Sequence, residues 1–269
     1  MSGTNTVAEV WKNGVATPLS DGTQGAFAAS VFVAGTDVYA AGYEFNKGAH
    51  NYVAKTWKNG VANALTDGTQ TAFAYSVFVA GTDVYAAGFE NKQVPNSNVY
   101  SRVAKVWKNG VATALTDGTM DAQAASVYVS GSDVYVAGAE YIEKIGAGET
   151  LVAKIWKNGV ATALTDGTYD AQATSVFVVG SAVYVAGSEL NASNIRIAKI
   201  WKNGAATSLT NGTKNAMATA VFVVGQDVYA SGYETNESNI TVGKVWKNGV
   251  ATTLTDGTKT ANAMALFVK

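Results

Sequence analysis

The sequence contains six Asp-Gly-Thr or Asn-Gly-Thr turns. A ring of their carboxylate and amide oxygens could bind calcium. The turns begin at Asp21, Asp67, Asp117, Asp166, Asn211 and Asp256. Calcium loops, however, carry three or four oxygen side chains at alternate positions, and that spacing is absent. Aspartate before glycine is also ordinary turn chemistry, because the carboxylate accepts nearby backbone N–H groups. We therefore predict turns and no metal site.

The inventory of catalytic side chains is small. His50 is the one histidine, so the sequence supports neither a Ser-His-Asp triad nor a multi-histidine metal site. Arg102 and Arg196 are the two arginines, and cysteine is absent, which removes thiol nucleophiles. A carboxylate pair remains open, but no pair departs from the repeats. We predict a protein that is not an enzyme and uses no cofactor; a hydrolase at a channel mouth is the least favoured alternative.

An Ala-x-Ala pattern follows each of these turns and supplies the candidate ligand-binding residues. The residues between the alanines are Phe27, Phe73, Gln123, Gln172, Met217 and Asn262. Small residues at alternate positions suit a crowded axis where strands converge, so we expect these six side chains at the mouth of a central channel. They could hold a small polar or sugar-like ligand, or they could plug the channel. The plug is the favoured interpretation.

Trp-Lys-Asn-Gly, which occurs six times, indicates the elements that position these residues. The tryptophans are Trp11, Trp57, Trp107, Trp156, Trp201 and Trp246, spaced by 45 to 50 residues. Asn-Gly between β-branched runs predicts a type I′ hairpin, which needs positive φ at both central residues. We expect the tryptophans to be structural, packed against the neighbouring repeat. Stacking on sugars is the alternative, less favoured because the turn already explains the Lys and Asn.

Each repeat reads as four short strands, A to D. In one copy they are 175–179, 182–189, 197–201 and 205–209. Four strands in about 45 residues are typical of a propeller blade. We therefore predict an all-β fold, a six-bladed β-propeller, as a single domain over residues 1–269.

Opposite charges on strands B and C predict that these two strands are neighbours. The pairs are Glu44 and Lys55, Glu90 and Lys105, Glu140 and Lys154, Glu189 and Lys199, and Glu234 and Lys244. The first C strand follows no B strand and carries Glu9 instead. The predicted order within a blade is A-B-C-D.

The chain ends do not complete a whole number of blades. Residues 7–11 form a C strand, and the chain stops after an A strand at 265–269. We expect a sixth blade stitched from both termini and short of its B strand, with an open slot or with residues 1–6 filling it. An unpaired edge templates another strand, so self-association there is a hypothesis. A three-stranded blade, a truncation and another blade boundary are alternatives.

The B–C loops differ between copies, as at 45–51, 91–101 and 141–150. Such variation on a rigid frame is the layout of a recognition surface, although drift, the favoured reading, gives the same pattern. With 19 basic and 20 acidic residues, the chain has no excess of positive charge to attract the phosphates of a nucleic acid, so we predict no nucleic-acid partner. We predict no membrane span and no signal peptide, which leaves a cytoplasmic or a processed, exported protein open.

The motifs Val-Tyr-Val-Ala-Gly, Ala-Lys-x-Trp-Lys-Asn-Gly and Leu-Thr-Asp-Gly-Thr resemble bacterial tandem-repeat β-propeller proteins with a Trp-Lys-Asn-Gly signature, over nearly all of residues 7–268. The resemblance implies architecture and no settled activity; the near-identical copies also fit recent amplification or engineering. The leading hypothesis is a non-enzymatic scaffold that presents loops on one face to a protein or a glycan. The alternative is a carbohydrate-binding lectin with repeated inter-blade sites.

Overall fold

The computed structural model describes residues 5–144 and 148–268, and within these ranges it contains 22 strands and no helix. The chain divides into two compact units, 1–129 and 130–269, which are described separately. In the described part, no helix is present that could cross a membrane. Residues 1–4 of the expected slot-filling segment, residues 145–147 of one variable loop, and residue 269 lie outside the described residues.

The first unit consists of a hairpin followed by two four-stranded sheets and most of a further strand. The hairpin is β1 (Glu9–Lys12) and β2 (Val15–Pro18). The sheets are β3 (Ala26–Ala34), β4 (Asp37–Asn46), β5 (Asn51–Lys58) and β6 (Val61–Ala64), then β7 (Ala72–Ala80), β8 (Asp83–Gln93), β9 (Tyr100–Lys108) and β10 (Val111–Ala114). The strand β11 (Ala122–Ser130) contains the boundary between the units.

The second unit repeats the same pattern. Its strands are β12 (Asp133–Lys144), β13 (Gly148–Lys157), β14 (Val160–Ala163), β15 (Ala171–Val179), β16 (Ala182–Leu190), β17 (Arg196–Lys202), β18 (Ala205–Ser208), β19 (Ala216–Val224), β20 (Asp227–Thr235), β21 (Thr241–Lys247) and β22 (Val250–Thr253). The sheets that lie wholly within one unit have the orders β3-β4-β5-β6 and β7-β8-β9-β10 in the first unit, and β15-β16-β17-β18 and β19-β20-β21-β22 in the second. The predicted A-B-C-D order is therefore confirmed.

The hairpin between strands C and D has the backbone that Asn-Gly predicts. The φ angle is 51° at Asn158 and 83° at Gly159, and the other five copies have closely similar values. Positive φ at both central residues is the requirement of a type I′ turn. The turn chemistry of the sequence thus sets the register of every C–D pair, as in Lys157↔Val160.

Strand A carries a bulge, and a glycine on strand B accommodates it. The pairing of β3 with β4 shifts register between Ala28 and Ser30. A Cβ built on Gly42 would lie 1.9 Å from the backbone oxygen of Phe27, so a side chain cannot fit without backbone movement. The glycine of the Val-Tyr-x-x-Gly motif is therefore required by close approach of two backbones, not by an unusual φ.

Five tryptophans, at positions 57, 107, 156, 201 and 246, are buried, each with 0 or 1% of its surface exposed. Trp107 lies in a core with Tyr39 and Ala54 of the preceding sheet, and Trp246 lies in a core with Tyr184 and Ala198 of the preceding sheet. Trp11 differs from the expectation, because 65% of its surface is exposed. From residue 5 onward no strand precedes β1, and the surface that covers the buried tryptophans is absent there.

The predicted strand at 265–269 is not found. No strand is assigned after β22 in the described residues, which end at 268, and Met264 and Phe267 are exposed. The segment still follows the preceding strands, since the Ala261 N–H donates to the Thr241 carbonyl at 2.9 Å. The hairpin β1-β2 forms a two-stranded sheet by itself. A segment without a B strand to pair with does not complete a ladder, which is the physical reason for the difference.

Candidate functional site

A cluster of aromatic rings lies in the first unit, where the two complete sheets meet. The ring of Tyr43 contacts Phe27, Tyr52 and Phe73, with centroids 5.2, 5.4 and 4.1 Å away. The cluster continues to Phe89, 5.1 Å from Phe73. Its remaining members are Phe45 and Tyr75. We call these seven residues the aromatic cluster.

The cluster stands at the end of the sheets that carries the variable B–C loops. Phe45 and Tyr52 face each other across β4 and β5, on either side of the loop that contains His50. The His50 ring lies 6.5 Å from Phe45. Phe27 is the most open member, with 42% of its surface exposed. The arrangement offers aromatic faces at a rim bordered by polar loop residues.

The six candidate residues of the Ala-x-Ala pattern are only partly brought together. Phe27 and Phe73 meet through Tyr43. In the second unit, the Nε2 atom of Gln172 donates to the sulfur of Met217 at 3.4 Å. The two remaining candidates have no such contact among the described residues: Gln123 is half-buried and Asn262 is exposed.

Sequence reasoning missed five members of the cluster, although a signal for them existed. Tyr52 and Tyr75 have no aromatic counterpart in the other copies. Tyr43 and Phe89 share a repeat position that also holds Tyr233, and the position of Phe45 also holds Tyr141. The positions of Phe45 and Tyr52 hold Asn91 and Arg102 in the next copy. Comparing each repeat position across copies would have shown that aromatic residues at these positions concentrate in the first two repeats. Their meeting in space depends on how neighbouring sheets pack, which spacing along the chain does not give.

Burial and charge shape the electrostatics at this cluster. Burial raises the pKa of Tyr75 to about 12, so this hydroxyl stays protonated at neutral pH. Burial, and then the neighbouring Tyr52, also raise the pKa of Tyr43. At the far edge, Arg102 stacks over Phe89 at 5.6 Å and donates to the Asp121 carboxylate at 3.0 and 3.2 Å. The hydroxyls of Tyr43 and Tyr75 are therefore neutral, and the guanidinium of Arg102 beside the cluster is held by Asp121.

The repeated charges form structural pairs. Each lysine of strand C contacts the predicted glutamate of strand B, as in the pair of Lys55 and Glu44, and the fifth copy spans 3.5 Å between Lys244 and Glu234. A second pair joins Lys58 to Asp37 at 2.8 Å, where the lysine also lies over the Tyr39 ring. These carboxylates are engaged by lysines, which does not favour a role as acid or base.

The aspartates of the Asp-Gly-Thr turns cap their own turns. Oδ1 of Asp67 accepts hydrogen bonds from the backbone N–H and the hydroxyl of Thr69, at 2.9 and 2.7 Å. These two bonds hold the pKa of Asp67 below its usual value. The same arrangement recurs at Asp21, Asp117 and Asp256. The described residues contain no group of three or more His, Cys, Asp or Glu placed to hold a metal ion.

Pockets also lie between neighbouring sheets of the first unit. One of about 270 Å³ is lined by Trp57, Asn63, Trp107 and Asn109, among others. Another of about 270 Å³ lies one repeat earlier and is lined by Val10, Trp57 and Asn59. Both are slightly smaller than typical small-molecule sites, which begin at about 300 Å³. Their recurrence at the same place in successive repeats comes from the repeated turn.

A larger groove of about 390 Å³ lies between β1 and β3. Its floor includes Val31 and Val33, which are 56% and 61% exposed. The corresponding valines of the next repeat, Val77 and Val79, are 4% and 7% exposed, because β7 packs against β3, β4 and β5. The groove is thus the place where strands of a preceding repeat would lie.

Three solved structures show overall similarity at low identity. The β-propeller domain of the Trilobed protease from Pyrococcus furiosus, with an open velcro topology, is 12% identical, with 87% of this chain and 96% of that chain covered and a TM-score of 0.43. A GH32 β-fructofuranosidase from Bombyx mori is 8% identical, with 90% of this chain and 61% of that chain covered and a TM-score of 0.42. An arginine-to-alanine triple mutant of AofleA from Arthrobotrys oligospora is 10% identical, with 93% and 79% covered and a TM-score of 0.44.

No protein-family model and no curated protein sequence matches the chain. At such identities and TM-scores, the three structures say nothing about activity. The sheets themselves define the class: an all-β, β-propeller-like chain of repeated four-stranded antiparallel sheets.

Proposed function

We propose that the protein is a non-enzymatic binding module that recognises a glycan on the aromatic cluster. The observation that supports this proposal is the concentration of aromatic residues beside the variable loops of the first two repeats, where the five repeat positions of the cluster hold seven aromatic residues against two in the next three copies. Exposed aromatic faces stack on the apolar faces of sugar rings, and tyrosine hydroxyls supply polar contacts. A frame that is otherwise nearly uniform has little structural reason to gather seven rings at one rim.

A glycan array followed by calorimetric titration tests this function. We expect Phe45→Ala to weaken binding of a neutral oligosaccharide by at least about tenfold, the effect of losing one anchoring aromatic. Tyr141→Ala is the matched control, because Tyr141 occupies the same repeat position in the third copy, outside the cluster. Equal losses in the two variants, or no binding across the array, would reject the proposal. If the protein bound a protein partner and no glycan, the scaffold function would stand and the glycan-binding function would be rejected.

A second candidate function is a lectin with repeated inter-blade sites. The two pockets of about 270 Å³, each between successive sheets and each beside a tryptophan, favour it. This alternative predicts several equivalent sites and little effect of Phe45→Ala. Asn109→Ala, in the pocket that also contains Trp57 and Trp107, would then reduce the number of sites by one.

The wider architecture we propose is a single six-bladed propeller in which the first hairpin and the C-terminal segment share the incomplete blade. Five four-stranded sheets and the β1-β2 hairpin support a count of six. A hydrolase activity is not part of the proposal, since the repeated carboxylates are engaged by lysines or by turn hydrogen bonds. Turnover of a glycoside by the purified protein would overturn that part.

We also propose self-association through the incomplete blade, with a strand of a second copy in the groove beside β3. The exposed Val31 and Val33 support this, since the equivalent valines are covered by the preceding sheet in the next repeat. Light scattering should give the mass of a dimer, and Val31→Lys should give a monomer because it places a charge in the groove. If the unaltered protein had the mass of a monomer, self-association would be rejected, whereas the proposed glycan site would not be affected.

A further inference from the structure

The asparagines of the six Trp-Lys-Asn-Gly turns share one backbone geometry, with φ of 50° or 51°. Their side chains differ. Oδ1 of Asn59 accepts the Val38 N–H at 2.8 Å, and its Nδ2 donates to the Asp37 carboxylate at 2.8 Å. We call these two hydrogen bonds the turn clamp. The complete clamp recurs at Asn109, Asn158 and Asn248.

Two turns lack all or part of the clamp. Asn203 keeps the hydrogen bond from the Val183 N–H at 2.8 Å, but Ala182 stands where the other copies have aspartate. Asn13 has no side-chain hydrogen bond within the described part of the chain, and it is exposed. In the other copies the first two residues of a B strand supply both partners, and the described residues before Asn13 contain no such strand.

We propose that Asn13 is a site of spontaneous deamidation, with water as the co-reactant. The backbone nitrogen of Gly14 attacks Cγ of Asn13, a C–N bond forms, and ammonia leaves with the proton of that nitrogen. Water then opens the succinimide at either carbonyl, giving aspartate or isoaspartate at position 13 and one added negative charge. Glycine presents no side chain to hinder the attack. The clamp opposes this reaction, because the side chain must leave both partners before Cγ can face the nitrogen.

The chain contains its own controls, since Trp-Lys-Asn-Gly-Val-Ala is identical around Asn13 and around the four fully clamped asparagines. The intact protein is incubated in mildly alkaline buffer, and each turn is followed by peptide mapping with mass spectrometry. We expect Asn13 to deamidate at least about tenfold faster than the clamped sites, because two lost hydrogen bonds correspond to one or more factors of ten in rate. In urea, the five identical sites should react at one rate. Equal rates in the folded protein would overturn the proposal.

Two substitutions test the clamp away from the chain end. Asp83→Ala removes the carboxylate partner of Asn109 and should accelerate deamidation at Asn109 alone. Ala182→Asp supplies the missing partner of Asn203 and should slow deamidation there. Circular dichroism confirms that each variant is folded. An unchanged Asn109 rate in folded Asp83→Ala would show that the clamp does not protect, and would overturn the proposal independently of Asn13.

Discussion

At the scale of single residues, the tryptophans at the same repeat position have different environments. The five buried tryptophans fill the core, yet their Nε1 atoms have no hydrogen-bond partner among the described residues. Their contribution is therefore packing, since an unpaired buried donor opposes stability. Trp11 has the same sequence neighbours but stands in solvent. Burial is decided by the preceding sheet and not by the motif.

The two kinds of tryptophan should respond differently to truncation. Trp107→Ala should lower the free energy of unfolding by about 3–5 kcal/mol, the usual cost of removing a fully buried aromatic side chain. Trp11→Ala should change it by no more than about 0.5 kcal/mol. Chemical denaturation followed by circular dichroism measures both. A cost at Trp11 equal to that at Trp107 would show that Trp11 is covered in solution.

The surface pairs predict how stability depends on pH. Hydrogen bonds from Lys58 and then Asn59 hold the pKa of Asp37 below its usual 3.8, so this contribution is present above pH 3.8 and is lost as the pH falls toward the lowered pKa. Asp37, and then Tyr39, raise the pKa of Lys58 above 10.5, so that contribution is lost as the pH rises through the raised value.

Thermal unfolding across the acid range tests this pH dependence. Asp83→Asn, which removes the equivalent carboxylate one repeat later, should make the melting temperature less dependent on pH below 3.8. An unchanged acid profile in this variant would contradict the assignment.

At the scale of the strand and sheet, the frame depends on two glycine-dependent features, the type I′ turn and the A–B close approach. Gly42→Ala should destabilise the protein by about 1–3 kcal/mol, the range for overpacked sites, because its Cβ meets the Phe27 carbonyl. Gly25 provides the control, since nothing lies within 4 Å of the Cβ it would gain. Gly25→Ala should be nearly neutral in the same denaturation experiment. Similar effects at both positions would contradict the close approach.

Much of this frame could be predicted from the sequence, because its determinants are local. Asn158-Gly159 determines the turn, and the Glu44 and Lys55 charges place strands B and C side by side. The aromatic cluster could not be predicted, since Tyr43 and Phe73 lie in different repeats and meet only when their sheets pack. The expected final strand was wrong because pairing needs a partner strand, and a favourable pattern at 265–268 does not supply one.

At the scale of the whole molecule, the repeats form a uniform frame. The functions that we propose lie where a repeat differs from its neighbours. The departures are the aromatic cluster in the first unit and the uncovered groove beside β3. Within each unit, successive sheets bury a shared core, so stability should be shared between neighbours as in other repeat proteins. A ligand-binding residue, in contrast, does not need to be the same as its counterparts in the other repeats.

The stoichiometry of oligosaccharide binding, measured by calorimetric titration of the intact protein, tests the central claim most directly. One site per chain, lost in Phe45→Ala and retained in Tyr141→Ala, is the predicted result. Several equivalent sites per chain, or one site that survives Phe45→Ala, would contradict the assignment of binding to the aromatic cluster.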